Sequence, residues 1–165
     1  GKGTRERIFN LRIMIQIYLE VQKPVYICFI DYEKAFDRVY HERIMQCLDH
    51  IDMDFNDKRG IEKLYWEQKA TVRFGDEFSE FFSIKRGVRQ GCVLSPKLFN
   101  LYTEKIFNES DKLPGCVVGG ENLNNLRYAD DTALLAESES ALQDIMDVVR
   151  QSSEEKGLSM NLKKT

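Results

Sequence analysis

An α+β fold, with helices packed behind an antiparallel-rich sheet, is what this sequence predicts. Three observations carry that prediction. Val25–Ile30 is an almost wholly apolar run rich in β-formers. Short strand-like runs are joined tightly at Gly75-Asp76 and at Tyr128-Ala129-Asp130-Asp131. Longer stretches repeat apolar residues at helical spacing. The chain has 165 residues, 42% hydrophobic and 31% charged. At roughly 100–200 residues per domain, it is one domain or part of a larger one. It is long enough to bury about 70% of its unfolded surface without disulfide or metal staples. Its composition excludes collagen-like, mucin-like and wholly disordered classes.

Thr4 stands where a helix cap is expected, with Ile8, Leu11, Ile15 and Leu19 following at helical spacing. Val25–Ile30 reads as a central strand buried on both faces, and it stops abruptly at Asp31. Residues 41–50 and 56–68 read as helices, the first placing Ile44, Cys47, Leu48 and Ile51 on one side. Residues 70–74 and 80–85 read as two strands of a hairpin. Gly87–Gly91 interrupts the pattern, and Ser95-Pro96 opens a helix carrying Leu98, Leu101, Tyr102 and Ile106. Residues 124–127 and 132–135 are short strands around the Asp130-Asp131 turn. Residues 138–156 form an amphipathic helix ended by Gly157, which suits the left-handed position past a helix end. Leu158-Ser159-Met160 is an expected edge strand. The chain is read as a single unit, 1–165, cut at both ends, since Lys163-Lys164-Thr165 offers nothing like a terminal cap.

Pro24–Ile30 is the longest uncharged apolar stretch, far short of the ~20 residues that span a bilayer, so no membrane partner is expected. The start has basic residues but no apolar run of a secretory signal. Cys28, Cys47, Cys92 and Cys116 lack zinc-finger or thioredoxin spacing, which points to reduced thiols in an intracellular protein. A net charge of −3 gives no overall nucleic-acid signal. Basic fringes nevertheless occur at Lys2, Arg5, Arg7 and Arg12, at Lys85, Arg86 and Arg89, and at Lys163 and Lys164.

Three carboxylates are out of place for a solvated surface. Asp31 follows a run that should be buried, where a charge is costly unless paired or metal-bound. Asp130 and Asp131 adjoin at a hairpin tip, where like charges raise each other's pKa unless a cation intervenes. Singly, each is an ordinary turn residue. Jointly, a strand-end Asp and a hairpin Asp-Asp can meet on neighbouring strands. An all-oxygen donor set without His or Cys suits Mg²⁺.

Phe29-Ile30-Asp31-Tyr32-Glu33-Lys34-Ala35-Phe36-Asp37, Arg89-Gln90-Gly91-Cys92-Val93-Leu94-Ser95-Pro96-Lys97-Leu98-Phe99-Asn100 and Tyr128-Ala129-Asp130-Asp131 occur in that order. They resemble motifs A, B and C of reverse transcriptases, nearest to those of non-LTR (LINE-type) retrotransposons. Gly157–Thr165 resembles motif D, and Gly3-Thr4-Arg5-Glu6 through Leu11-Arg12 resembles the segment leading from fingers to palm. The resemblance implies a right-hand polymerase palm with part of the fingers. The thumb, the remaining fingers and their basic grips on phosphate would belong to the parent polyprotein, beyond these residues.

By the same resemblance, Asp31 and Asp130 would be shared ligands of two Mg²⁺ ions, with Mn²⁺ a possible substitute. Asp131 would be the neighbouring carboxylate, and Tyr32 would contribute its main-chain carbonyl alone. Phe36 would bar a 2′-hydroxyl, a role that packing in the core does not exclude. Gln90 and Gly91 would shape the pocket for the incoming nucleotide, Gly91 by letting backbone approach substrate. Arg89 would contact phosphate. Lys164, or its neighbour Lys163, would protonate the leaving pyrophosphate, and both also read as solvated charge. Asp37 is read as structural.

The implied activity is RNA-directed DNA polymerisation, extending a DNA primer with deoxynucleoside triphosphates on an RNA template. The parent element would work in cytoplasm and nucleus. Two other readings stand beside it: a silent palm remnant of a decayed element, and a group II intron-type maturase.

Overall fold

The computed structural model describes residues 4–165. The expected Thr4 cap, the Gly3 start of the fingers-to-palm segment, and the Lys2 and Arg7 side chains lie outside the described residues. The chain groups into two compact units, one running up to Ala35 and resuming at Thr103, the other spanning Phe36–Tyr102.

The first unit is built on a three-stranded antiparallel sheet in which β1 (Tyr26–Ile30) pairs with β9 (Asp131–Ala136), and β9 with β8 (Asn125–Tyr128). Central β9 buries every residue from Thr132 to Ala136. β1 is not the doubly buried central strand that its composition suggests. It lies at the sheet edge with one neighbour, and only Ile30 is fully buried, while Tyr26 and Phe29 are exposed.

Helix α1 (Thr4–Glu20) packs Met14 and Tyr18 against Leu135 of β9 and Cys116 of β6 (Cys116–Val118). Helix α6 (Glu139–Glu155) meets the sheet through Ser153, whose Oγ lies 2.9 Å from the Tyr32 hydroxyl. Alternation along antiparallel strands puts Tyr32 and Leu135 on opposite faces. The two helices therefore cover opposite faces, rather than all lying behind the sheet.

Ser138 caps α6 by accepting from the Ala141 amide at 3.2 Å, and Gly157 ends it at φ +81°. The expected strand at 158–160 is reduced to one antiparallel bridge, Tyr32↔Met160. A hairpin of β6 and β7 (Glu121–Leu123) was not anticipated, though its Gly119-Gly120 turn, both residues at positive φ, is a strong turn signal.

In the second unit, α2 (Ala35–Arg38) is a single turn, and α3 (His41–His50) has the expected bounds. α4 (Phe55–Trp66) is capped by Asp54, which accepts from the Asn56 amide at 2.8 Å. The Gly75-Asp76 hairpin forms, but as two short ladders: β2 (Lys69–Ala70) with β5 (Phe82–Ser83), and β3 (Arg73–Phe74) with β4 (Glu77–Phe78). Between them Ser79 takes over, its hydroxyl accepting from the Val72 amide at 2.9 Å while its carbonyl accepts from Thr71 Oγ1 at 2.7 Å. Helix α5 (Ser95–Ser110) starts in this unit, at the Ser-Pro step read from the sequence. Among the described residues no helix is long and apolar enough to cross a membrane.

Candidate active site

Register builds the carboxylate cluster. β1 and β9 pair up to Ile30↔Thr132, so Asp31 and Asp131 are the next residues beyond that pair on neighbouring strands. Tyr128 pairs with Asp131, which leaves Ala129-Asp130 as a two-residue turn. Ala129 sits at φ +54°, a left-handed conformation that costs a β-carbon-bearing residue about 1–2 kcal/mol. The flanking ladder holds that strained turn and fixes Asp130 at the tip beside Asp131. Sequence alone gave the residue types; the pairing of β1 with β9 brings them to one end of one sheet.

Asp131 also borders an apolar cavity of about 230 Å³ lined by Ile8, Leu11, Phe29, Leu126 and Tyr128. Desolvation there raises the Asp131 pKa even though the residue is exposed, and the charges of Asp130 and then Asp31 raise it further. Among the described residues, no three carboxylate, histidine or cysteine groups stand drawn together as a finished metal cage. The donor set is nonetheless all oxygen and short of positive charge, which fits a hard divalent cation.

Tyr32 divides its roles. Its ring is buried and anchored at Ser153, and burial pushes its phenol pKa up. In its bridge with Met160, the flanking bonds run from the Glu33 amide to the Ser159 carbonyl at 2.9 Å and from the Asn161 amide to the Asp31 carbonyl at 2.8 Å. That is the pattern of a non-hydrogen-bonded pair, so Tyr32's own carbonyl points away from Met160, toward the edge that β1 shares with β9. It is available to a cation through main chain only.

The turn at 161–165 wraps Asp31. Asn161 Nδ2 donates to Asp31 Oδ2 at 3.1 Å, the Lys164 ammonium lies 3.5 Å from the same oxygen, and the Asp31 amide donates to Thr165 Oγ1 at 3.4 Å. Of the two lysines, Lys164 is the one placed beside the carboxylate; Lys163 is exposed, and its amide donates to Asn161 Oδ1 at 3.2 Å. Asn161 and Thr165 were not singled out from sequence. The signal was the Asn itself, a residue type that closes Asx turns on the amide two residues on.

In the second unit, Phe36 and the 87–91 loop are held together. The Val88 amide donates to the Phe36 carbonyl at 2.8 Å, and the Gly87 amide to the Val39 carbonyl at 2.7 Å. The Phe36 ring stacks on Phe99 with centroids 5.0 Å apart, so packing accounts for part of its presence. The Arg89 carbonyl accepts from the buried Ser95 hydroxyl at 2.6 Å, pinning the loop to the start of α5. The Arg89 side chain is exposed and borders an open groove of about 430 Å³ with Lys63 and Lys69. Gln90 is exposed. Gly91 stands at φ +81° with open space where a β-carbon would project, so backbone conformation is what calls for glycine there.

The family described as "Reverse transcriptase (RNA-dependent DNA polymerase)" matches residues 3–165. The chain is 31% identical over 158 residues to the "Retrovirus-related Pol polyprotein from type-1 retrotransposable element R2" of Nasonia vitripennis, covering 96% of this chain and 15% of that protein. It is 28% identical over 168 residues to the "RNA-directed DNA polymerase from mobile element jockey" of Drosophila funebris, covering 96% of this chain and 18% of that protein. The chain thus spans under a fifth of either relative. Among solved structures, an apo telomerase from Candida tropicalis superposes with a TM-score of 0.74 at 19% identity, covering 98% of this chain and 34% of that one. At that identity the likeness is one of fold.

Proposed function

This chain belongs to the reverse transcriptase (RNA-dependent DNA polymerase) family, and from that premise we propose that it is the catalytic palm of a non-LTR retrotransposon polymerase. In this reading it extends a DNA primer with deoxynucleoside triphosphates, copying RNA, inside the cytoplasm and nucleus of its host. The carrying observation is the carboxylate placement: Asp31 and Asp131 are the next residues beyond the last pair of β1 with β9, and Asp130 adjoins Asp131 in a strained turn. The retrotransposon polyproteins it matches favour that origin over an intron maturase.

Asp31, Asp130 and the Tyr32 carbonyl would hold two Mg²⁺ ions, or Mn²⁺ in their place, with Asp131 completing the negative charge. Such a metal pair supplies acidification of the primer 3′-hydroxyl and neutralisation of charge on the transferring phosphoryl group and pyrophosphate. The protein's own groups do the rest. Carriage on one sheet end would limit how far the carboxylates must move to close on the ions. The Lys164 ammonium, already beside Asp31, gives a proton to the departing pyrophosphate oxygen. Phe36 screens the sugar at C2′, Gln90 and Gly91 line the nucleotide's place, and Arg89 meets phosphate with Lys63 and Lys69 nearby.

RNA-templated primer extension tests this, using the chain together with its natural flanking sequence and an Asp130→Asn counterpart. Mg²⁺-dependent DNA synthesis lost in Asp130→Asn is the expected result. Silence from the folded unsubstituted protein, or equal synthesis by both, would overturn the reading.

A further inference from the structure

The 161–165 turn holds Asp31 by three hydrogen bonds: its amide meets Thr165, its carbonyl meets the Asn161 amide, and its Oδ2 meets Asn161 Nδ2. Asn161 is itself fully engaged. Its Oδ1 accepts from the Lys163 amide, and its carbonyl accepts from the Lys164 and Thr165 amides at 2.9 and 3.0 Å. Its amide orientation is therefore determined, because a flip would set oxygen against the Asp31 carboxylate and nitrogen against an N–H. Lys164 shares Oδ2, but its side chain is 67% exposed and the pair is open to water, so its hold is weak. Among the described residues Oδ1 of Asp31 accepts no hydrogen bond.

We propose that Asn161 is a positioning residue for the metal site: it occupies Oδ2 of Asp31 and thereby presents Oδ1 for coordination. The inference rests on the proposed role of Asp31 as a metal ligand. A neutral donor suits this task, since it fixes the carboxylate without cancelling the charge that attracts the cation. Groups that orient a metal ligand in this way typically contribute about 10–100-fold in metal affinity.

The test is a double-substitution cycle on the 165-residue chain. Mn²⁺ binding is read from the loss of the free-ion EPR signal, and folding is checked by thermal melting in EDTA. Asn161→Ala should weaken Mn²⁺ binding about tenfold. In an Asp31→Asn background the same substitution should change affinity by no more than about twofold. A purely structural role for Asn161 would give the same loss in both backgrounds, and that result overturns the proposal, as does undiminished binding by Asn161→Ala. If Asp31→Asn alone leaves Mn²⁺ affinity unchanged, the metal-site reading fails and this inference with it. Loss on Asp31→Asn without loss on Asn161→Ala sinks only the role of Asn161. Should Asn161→Ala not fold, Asn161→Ser enters the same cycle, because its hydroxyl can still accept from the Lys163 amide.

Discussion

Replacing Asp131 by Asn should make the metal-free protein more stable while abolishing DNA synthesis. The Asp131 carboxyl is harder to ionise in the folded chain because it is partly desolvated beside the apolar cavity and faces Asp130 and Asp31. A folded pKa raised above the unfolded one means that ionisation costs more in the folded state. That penalty is absent below the unfolded pKa and fully present above the folded one, so it acts at neutral pH. Cross-strand side-chain pairs are worth about 0.2–1 kcal/mol each, like charges act with the opposite sign, and solvent screens an exposed group. With two carboxylates facing Asp131, the relief is about 1 kcal/mol, or roughly 2–4 °C in melting temperature for a chain of this length. The assay is thermal unfolding in EDTA at neutral pH and again below the carboxylate range. Asp131→Asn should melt higher at neutral pH, and the gap should close on acidification. A variant that melts at or below the parent at neutral pH, or a gap independent of pH, would refute the frustrated-cluster argument.

Three further outcomes are expected. Tyr18→Phe removes the buried hydroxyl that bonds the Glu137 carboxylate and accepts from the Val117 amide at 2.7 Å, and should cost about 1–3 kcal/mol in urea unfolding. Because that bond lowers the Glu137 pKa, the stabilisation is present above the normal carboxylate range and lost as pH falls through the lowered value, so the deficit should shrink in acid. Gly115→Ala would put a β-carbon 2.5 Å from the Asn124 β-carbon and 2.6 Å from the Leu123 carbonyl, and should destabilise by about 1–3 kcal/mol by chemical denaturation. Phe36→Ala in the active polymerase should raise ribonucleotide incorporation in single-nucleotide extension, while unchanged sugar selectivity would leave Phe36 only its packing against Phe99.

Local chemistry was legible where it acted alone. α3 has its expected bounds, α6 starts at Ser138 and stops at Gly157, and the Asp130-Asp131 hairpin forms, because caps, helical spacing and turn residues decide such features. What depended on distant partners was not legible. The apolar run of β1 reads as a doubly covered strand, yet its position at the sheet edge leaves Phe29 exposed at the same end as the carboxylates. The helices' division between two faces follows from packing of Tyr18 and Ser153 that no local pattern encodes. Within the site, the three carboxylates were recognisable by type and order. Asn161 was not, because its value lies in contacts with a residue far away in sequence.

The central claim is that Asp31, Asp130 and Asp131 gather a divalent metal at the end of this sheet. Crystals soaked in Mn²⁺ with anomalous diffraction recorded at the manganese edge would test it most directly. The account predicts anomalous density between Asp31 and Asp130, within reach of the Tyr32 carbonyl, and its loss in Asp130→Asn. Manganese bound elsewhere, with the three carboxylates turned apart in a well-ordered sheet, would contradict it.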